Sequence, residues 1–193
     1  MATRRLALVL AALAVGGCDS AEEDPDPVDG TGYSYSVPEG WDDVSDQAED
    51  QIEVARSSPD TLVVGAREDD FTTNVNVVRE GGVPEAVTPE EYAEVSLTGL
   101  RDPAAAGLPP ELASAVGRLN PTRISRPGEI ELDGQEAVAW SYRTTQNGRR
   151  VRVRQVATVM DGAGYTVTLT AVPAGYEDGA AALEEVVESW RWE

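Results

Sequence analysis

The chain has 193 residues, of which 35 are Asp or Glu and 15 are Arg, and it contains neither Lys nor His. Its formal net charge of −20 disfavours binding to nucleic acid, because proteins meet phosphate backbones with a basic surface. With no histidine, no lysine and a single cysteine, the chain cannot assemble Ser-His, Cys-His or Ser-Lys catalytic pairs, Cys and His zinc sites or an internal disulfide.

The N-terminus has the composition of a secretory signal. Arg4 and Arg5 precede an apolar run over residues 6–15, and small residues follow. The run is about half the roughly 20 residues that a membrane-spanning helix needs, so we expect it to be removed. The ending Val15-Gly16-Gly17-Cys18 resembles the bacterial lipobox, in which a diacylglycerol is attached to the cysteine before cleavage. Residues 1–17 are therefore predicted to be a lipoprotein signal peptide, with an ordinary signal and an incidental cysteine as the alternative.

The segment that follows is predicted to be a tether. Residues 18–30 are rich in Asp, Glu and Pro and carry almost no hydrophobic side chains, so they cannot bury enough surface to fold. Like charges and prolines keep such a segment extended, although a specific acidic binding tail is the alternative. Two acyl chains anchor a protein stably where one binds only reversibly. We therefore expect lipidated Cys18 to hold the protein at the extracytoplasmic face of the cell membrane.

Residues 31–193 are predicted to form one globular domain that begins with strands. Tyr33, Tyr35 and Val37 alternate with serines and lead into a turn at 38–41. Further strands are expected over 52–56 and 62–67. In the next strand the apolar face is predicted to carry Phe71, Thr73, Val75 and Val77, and the opposite face Asn74 and Asn76.

The sequence then changes to a helical pattern. Thr88-Pro89-Glu90-Glu91 is a capping box with proline at the first helical position, so a helix should begin there and end before Pro103. A Pro- and Gly-rich stretch follows, and a shorter helix is expected over 111–119.

The last third predicts an antiparallel sheet covered by a helix. Turn dipeptides at Asp133-Gly134, Asn147-Gly148 and Asp161-Gly162 separate four strands, placed at 123–132, 135–145, 149–160 and 165–172. The spacing of Leu183, Val186, Val187 and Trp190 predicts a final helix with one apolar stripe. The fold class is therefore α+β, with an antiparallel β-sheet of about six to seven strands packed with helices.

Three stretches, in this order, are similar to the PsbP-like family. They are the opening strand into Val37-Pro38-Glu39-Gly40-Trp41, the strand over 71–77, and the closing hairpin with the helix that ends at Ser189-Trp190. With the lipobox and the exclusive use of Arg as the basic residue, the chain resembles DcrB- and LpqN-type bacterial lipoproteins of this family, of actinobacterial kind. The resemblance implies an α/β/α sandwich and an accessory or binding role. We expect no cofactor.

The one basic concentration in this acidic chain lies in the strand predicted over 149–160. Alternation places Arg150, Arg152 and Arg154 on one face, opposite valines, as a row of forked donors suited to carboxylate or phosphate. The alternative is that these arginines pair with the protein's own acids. The row is the best candidate for a surface that binds an anionic ligand or a partner.

Two other groups of residues are candidate sites. Asn74 and Asn76 point the same way and could meet a ligand, with hydrogen bonds to a neighbouring loop as the alternative. Glu68-Asp69-Asp70 is an acidic cluster, but it lacks the alternating acids, central glycine and distal glutamate of a calcium loop, so we predict a solvated turn and no metal site.

These observations favour a non-catalytic, lipid-anchored binding or accessory protein, which acts as a monomeric domain beside an envelope protein partner. One alternative is a carrier of a small or lipidic ligand, which would need a cavity between sheet and helices. The other is a hydrolase that uses two carboxylates, for which no pair of acids in the sequence stands out.

Overall fold

The computed structural model describes residues 27–47, 59–102 and 120–193. Cys18, the predicted signal peptide, the predicted strand over 52–56 and the predicted helix over 111–119 lie outside the described residues. The elements in chain order are β1 (Val28–Gly30), β2 (Tyr33–Tyr35), β3 (Asp42–Asp43), β4 (Thr61–Glu68), β5 (Phe71–Gly81), α1 (Pro89–Arg101), β6 (Gly128–Leu132), β7 (Gln135–Gln146), β8 (Arg149–Met160), β9 (Ala163–Ala171), α2 (Tyr176–Ser189) and β10 (Arg191–Trp192).

Seven strands form one antiparallel sheet in the order β3-β4-β5-β9-β8-β7-β6. Strands β6 to β9 are consecutive hairpins, and β9 pairs with β5, so the sheet joins an N-terminal hairpin to a C-terminal meander. The prediction of an α+β fold with six to seven antiparallel strands is confirmed.

The three hairpin turns have the backbone that their sequences predict. The two central residues of each turn have φ values of 47° and 77°, 50° and 78°, and 48° and 73°, for Asp133-Gly134, Asn147-Gly148 and Asp161-Gly162 respectively. Positive φ at both central residues matches the right-handed twist of the flanking strands, and Asn, Asp and Gly adopt it at low cost. These turns fix the pairing of β6, β7, β8 and β9.

Helix α1 covers one face of the sheet. It begins with the predicted capping box: the Thr88 hydroxyl accepts from the Glu91 amide, and the Glu91 carboxylate accepts from the Thr88 amide, both at 3.2 Å. The helix packs on β7 and β8. Phe71, which alternation places with Val75, packs here instead, next to a bulge in β4 that twists the strand pair. The cluster comprises Phe71, Tyr92, Ala93, Leu97, Leu100, Val138, Trp140, Tyr142, Val151, Val153 and Ala157.

Helix α2 covers the other face of the sheet, above β5 and β9. Leu183 and Val186 of the predicted stripe are buried, and Trp190, which follows the last helical residue, is fully buried. The chain therefore folds as a sheet between two helical layers. The core on this face comprises Val63, Val75, Val77, Val156, Tyr165, Val167, Leu169, Ala171, Leu183, Val186 and Trp190, among others.

A second sheet of three strands, in the order β1-β2-β10, was not predicted. It brings the first and last described strands of the chain to either side of β2, whose Tyr33 stacks on Trp190 with ring centroids 4.2 Å apart. Val28, which we assigned to the tether over 18–30, is 1% exposed and belongs to the core. Residues 28–30 thus belong to the described fold, although the sequence placed them in the tether.

Candidate functional site

The arginines of β8 lie on the face that α2 covers, at its margin. Arg154 and Arg152 pair in register with Leu169 and Ala171, which belong to the core beneath α2. The intervening Val151 and Val153 are buried in the cluster beneath α1. Alternation therefore places Arg150, Arg152 and Arg154 together on one face, as predicted from the sequence.

Two of these arginines pair with acids of α2. Arg152 Nη1 lies 3.2 Å from Glu177 Oε1, and Arg154 Nη1 lies 3.0 Å from Glu184 Oε1. The Arg152 guanidinium also lies over the Tyr176 ring, 3.3 Å from its centroid. Exposed ion pairs of this kind contribute about 0–1 kcal/mol to stability. Their main effect is to fix the orientation of the guanidinium planes, which leaves most of the five N–H donors of each group available.

A fourth arginine on this face was missed in the sequence. Arg143 of β7 lies directly across from Arg152 of β8, so the two side chains point to the same side of the sheet. Arg143 and Arg150 are exposed, and neither forms an ion pair with any residue that the structure describes. We call Arg143, Arg150, Arg152 and Arg154 the arginine patch. The sequence did contain the information that locates Arg143. The two-residue turn at Asn147-Gly148 pairs Gln146 with Arg149, and three residues further from the turn on each strand the same register pairs Arg143 with Arg152.

Most of the other described arginines differ from Arg143 and Arg150 in the contacts of their side chains. Elsewhere, each contacts an acid, a carbonyl or a tyrosine hydroxyl, as seen for Arg67, Arg79, Arg101, Arg149 and Arg191. Over residues 27–47, 59–102 and 120–193, the arginines whose guanidinium groups form no hydrogen bond or ion pair are Arg123, Arg126, Arg143 and Arg150. Arg123 and Arg126 lie in the segment whose Thr122 and Ser125 bond to the backbone of β7 at Arg143 and Ser141. The unpaired arginines thus collect at one corner of an acidic protein.

Asn74 and Asn76 lie on the opposite face of the sheet and are buried, at 3% and 0% exposure. Asn74 Nδ2 donates to the carbonyl of Thr72 at 3.1 Å, and Asn76 Nδ2 approaches Asn74 Oδ1 at 3.5 Å. Among the described residues, their side-chain bonds therefore stay within β5, and both side chains are buried.

Asn76 belongs to a buried polar row that crosses four strands. Register aligns it with Thr168, Gln155 and Trp140 on β9, β8 and β7. Gln155 Nε2 donates to Thr168 Oγ1 at 3.0 Å. Asn76 Oδ1, Gln155 Oε1 and Trp140 Nε1 are buried and have no hydrogen-bond partner within the described structure. Leaving such a group unpaired costs about 1–3 kcal/mol, so the row is a second candidate site.

The acidic cluster at the β4–β5 turn forms ion pairs. Asp69 Oδ2 and Asp70 Oδ2 lie 3.4 and 3.2 Å from the guanidinium nitrogens of Arg149. Within the part of the chain that the structure describes, no three His, Cys, Asp or Glu side chains come close enough together to hold a metal ion. The β4–β5 turn is therefore a surface turn whose aspartates pair with Arg149.

Titration behaviour follows burial. Burial raises the pKa of Tyr33, Tyr35 and Tyr142 well above the ordinary value, and that of Tyr92 to about 12. Burial also raises the pKa of Glu80, with a hydrogen bond from the Tyr92 hydroxyl acting in the opposite direction. The environment of Glu80 thus favours the protonated carboxyl, as a general acid of a hydrolase would need. Its hydrogen-bond partner, however, is the Tyr92 hydroxyl and not a second carboxylate.

No family model and no curated protein matches the sequence. Among solved structures, the chain is similar to cyanobacterial PsbP (CyanoP) from Synechocystis sp. PCC 6803, with a TM-score of 0.58, 17% identity, and coverage of 92% of this chain and 98% of that one. It is similar to LpqN of Mycobacterium tuberculosis, described as involved in cell envelope biogenesis, with a TM-score of 0.54, 16% identity, and coverage of 86% and 88%.

A third similar structure is PA94 from Pseudomonas aeruginosa, a protein of unknown function described as a putative regulator, with a TM-score of 0.50, 18% identity, and coverage of 69% and 81%. At these identities the likeness shows the fold. The chain therefore has a PsbP-like fold, as the sequence resemblance implied. None of the described helices is long and apolar enough to cross a membrane.

Proposed function

We propose that this chain is a lipid-anchored, extracytoplasmic accessory protein of the cell envelope, which binds a partner and is not an enzyme. The observation that carries the proposal is the position of β1. Residues 19–27 lie between Cys18 and β1, and a chain of this length reaches at most about 35 Å even when fully extended. A lipid on Cys18 would hold the domain within that distance of the bilayer and raise its effective concentration toward any membrane partner.

Two further observations support this proposal. LpqN, whose fold the chain shares, is described as involved in cell envelope biogenesis, which is the setting that a lipobox implies. The arginine patch offers a binding surface on a rigid sheet, with two guanidinium groups not used by the described fold. We propose that the domain acts as a monomer and uses this surface at the membrane.

The anchor is tested by metabolic labelling of the full chain in a bacterium that processes lipoproteins. Cells receive an alkyne-tagged palmitate, and the protein is then followed through membrane fractionation and protease treatment of spheroplasts. Because Cys18 is the only cysteine, Cys18→Ser should abolish the label and release the domain from the membrane or leave it unprocessed, whereas Ser20→Ala should change neither. A wild-type protein without label, or one protected from external protease, would contradict the proposal.

The accessory role is tested by cross-linking and pull-down from native membranes. The wild type should recover a defined envelope protein that both Cys18→Ser and the double variant Arg143→Gln/Arg150→Gln recover poorly. Recovery that is equal with all three proteins would exclude the tethered, arginine-dependent mode of binding.

A second candidate function, a carrier of a small uncharged molecule, is favoured by the buried polar row. Its unpaired groups are two amide oxygens and one indole N–H, which suit a ligand with both hydrogen-bond donors and acceptors and no charge. Native mass spectrometry of the purified protein would then reveal an added mass that Asn76→Leu removes and that Arg150→Gln retains. A wild type of unmodified mass, together with an Asn76→Leu variant of equal or greater stability, would exclude this function.

A further inference from the structure

We infer that the arginine patch is a binding site for a phosphate group, carried either by a lipid headgroup or by a soluble molecule. This deepens the proposed function and relies on it only for the proximity of the bilayer. Arg143 and Arg150 would supply the free donors, and Arg152 would supply a guanidinium that is already oriented by Tyr176 and Glu177.

The first argument is electrostatic. Arg143 and Arg152 face each other directly across β7 and β8, and like charges in that position destabilise a sheet. The patch holds four guanidinium groups and pairs with two carboxylates, Glu177 and Glu184, so it keeps a local positive excess. Beyond a Debye length of about 8 Å, the acids elsewhere on the surface are largely screened at physiological salt. An anion bound between the two strands would remove the repulsion.

The second argument concerns preorganisation. Arg152 Nη1 binds Glu177 and the Arg152 guanidinium lies over the Tyr176 ring, while Arg154 Nη1 binds Glu184. Both groups are therefore oriented before any ligand arrives, which reduces the entropy lost on binding. Both stand on the rigid central sheet rather than on a loop.

The third argument selects phosphate over carboxylate. The chain carries 35 carboxylates, yet none of those in the described residues pairs with Arg143 or Arg150. A carboxylate brings one charge and two oxygens, which suits a single guanidinium. A phosphate monoester brings a charge of about −1.5 to −2 and three acceptor oxygens, which can bridge guanidinium groups on neighbouring strands.

The test uses the mature chain from residue 18 with Cys18→Ser, so that it stays in solution without its lipid. Arginine Nε–H NMR signals are followed during titration with inorganic phosphate and pyrophosphate at constant ionic strength, with acetate as the carboxylate control. We expect saturable shifts at Arg143, Arg150 and Arg152 with the phosphates and weaker shifts with acetate.

Two double variants with the same charge change separate the site from the overall field. Arg143→Gln/Arg150→Gln should weaken pyrophosphate binding by about tenfold or more, as expected for the loss of charge-assisted hydrogen bonds. Arg67→Gln/Arg101→Gln removes two exposed arginines elsewhere and should leave binding unchanged within about twofold. Equal weakening in both variants, or no saturable shift with either phosphate, would overturn the inference.

A vesicle arm distinguishes the two sources of phosphate. Co-sedimentation with vesicles that contain phosphatidic acid, whose headgroup is a phosphate monoester, assigns the site to lipid headgroups if it is lost in Arg143→Gln/Arg150→Gln and absent with phosphatidylcholine vesicles. Binding of pyrophosphate without vesicle binding assigns it to a soluble phosphate compound.

Tighter binding of a poly-glutamate peptide than of pyrophosphate would overturn the inference in favour of an acidic protein segment. Because the lipid on Cys18 is absent from every arm, failure here leaves the anchoring proposal intact.

Discussion

At the scale of single residues, Trp190 joins the two sheets. Its fully buried ring stacks against both Tyr33 and Tyr35, with centroids 4.2 and 5.8 Å away, and meets Trp192 edge-on. Removing it would open a cavity at the junction of α2, β2 and β10. We expect Trp190→Ala to lower the free energy of unfolding by about 3–5 kcal/mol, measured by urea denaturation.

Trp41 provides the matched control for that substitution. It is only half-buried and packs at the edge of the same core. Trp41→Ala should therefore cost clearly less than Trp190→Ala. If both variants lost the same free energy of unfolding, the stack of Trp190 on Tyr33 and Tyr35 would contribute no more than the packing of a half-buried side chain.

Glu80 predicts a pH dependence whose sign follows from its environment. Burial raises its pKa above the ordinary value of 4.5, so the folded state holds the proton to a higher pH than the unfolded chain does. The stability that Glu80 contributes is fully present below pH 4.5 and is lost as the pH rises through the raised pKa. Relative to the wild type, Glu80→Gln should thus become more stable in urea denaturation as the pH rises above 4.5 and through the raised pKa.

The exposed residue Glu129 separates this effect from the change in net charge. Glu129→Gln removes the same charge from the surface of β6. If both variants gained stability equally with rising pH, relief of general repulsion would explain the result and burial of Glu80 would not.

At the scale of elements, the capping box of α1 makes a measurable contribution. Thr88 and Glu91 satisfy each other's backbone amides, and Pro89 occupies the first helical position. Thr88→Ala should lower the free energy of unfolding by about 0.5–2 kcal/mol, because it leaves one amide at the helix start without its acceptor. Thr98→Ala, inside the same helix, should be neutral or slightly stabilising, since Ala favours helix interiors. The reverse order would show that the cap is not the determinant of this helix end.

Local signals predicted the elements well, and nonlocal contacts explain what was missed. The turns at Asp133-Gly134, Asn147-Gly148 and Asp161-Gly162 require positive φ, so their residue types identify the hairpins directly. Strand β10 has two residues, Arg191 and Trp192, and no periodicity can reveal so short a strand. The strand forms because the buried Trp190 places the next two residues beside β2, where they pair with it.

The candidate site was predictable only in part. The row on β8 follows from alternation, and Arg143 follows from the hairpin register. The ion pairs of Arg152 with Glu177 and of Arg154 with Glu184 depend on how α2 lies across the sheet, over separations of 25 and 30 residues. The buried row through Asn76, Gln155 and Trp140 needs the order of four strands, which the sequence pattern does not contain.

At the scale of the whole molecule, the start of the fold can be located by truncation. A chain that begins at Pro27 keeps β1, whereas one that begins at Thr31 loses Val28 and the pairing of β1 with β2. We expect the first to unfold at the same temperature as the chain that begins at residue 18, and the second at a lower temperature, measured by circular dichroism. Equal melting temperatures for all three would show that β1 adds nothing to stability and that the tether is longer than proposed.

The three-stranded sheet also has a mechanical consequence. Strands β1 and β10 flank β2, so Val28 and Trp192 lie about two strand spacings, or roughly 10 Å, apart across the sheet and two residues, or about 7 Å, apart along it. Traction on the N-terminal segment meets the three-residue pairing of β1 with β2 first, and the seven-stranded sheet bears load only after that pairing opens. Peeling of β1 would lengthen the tether by several residues while the arginine patch stays folded. The short strand would then act as a strain-relief element between the membrane and the rest of the domain.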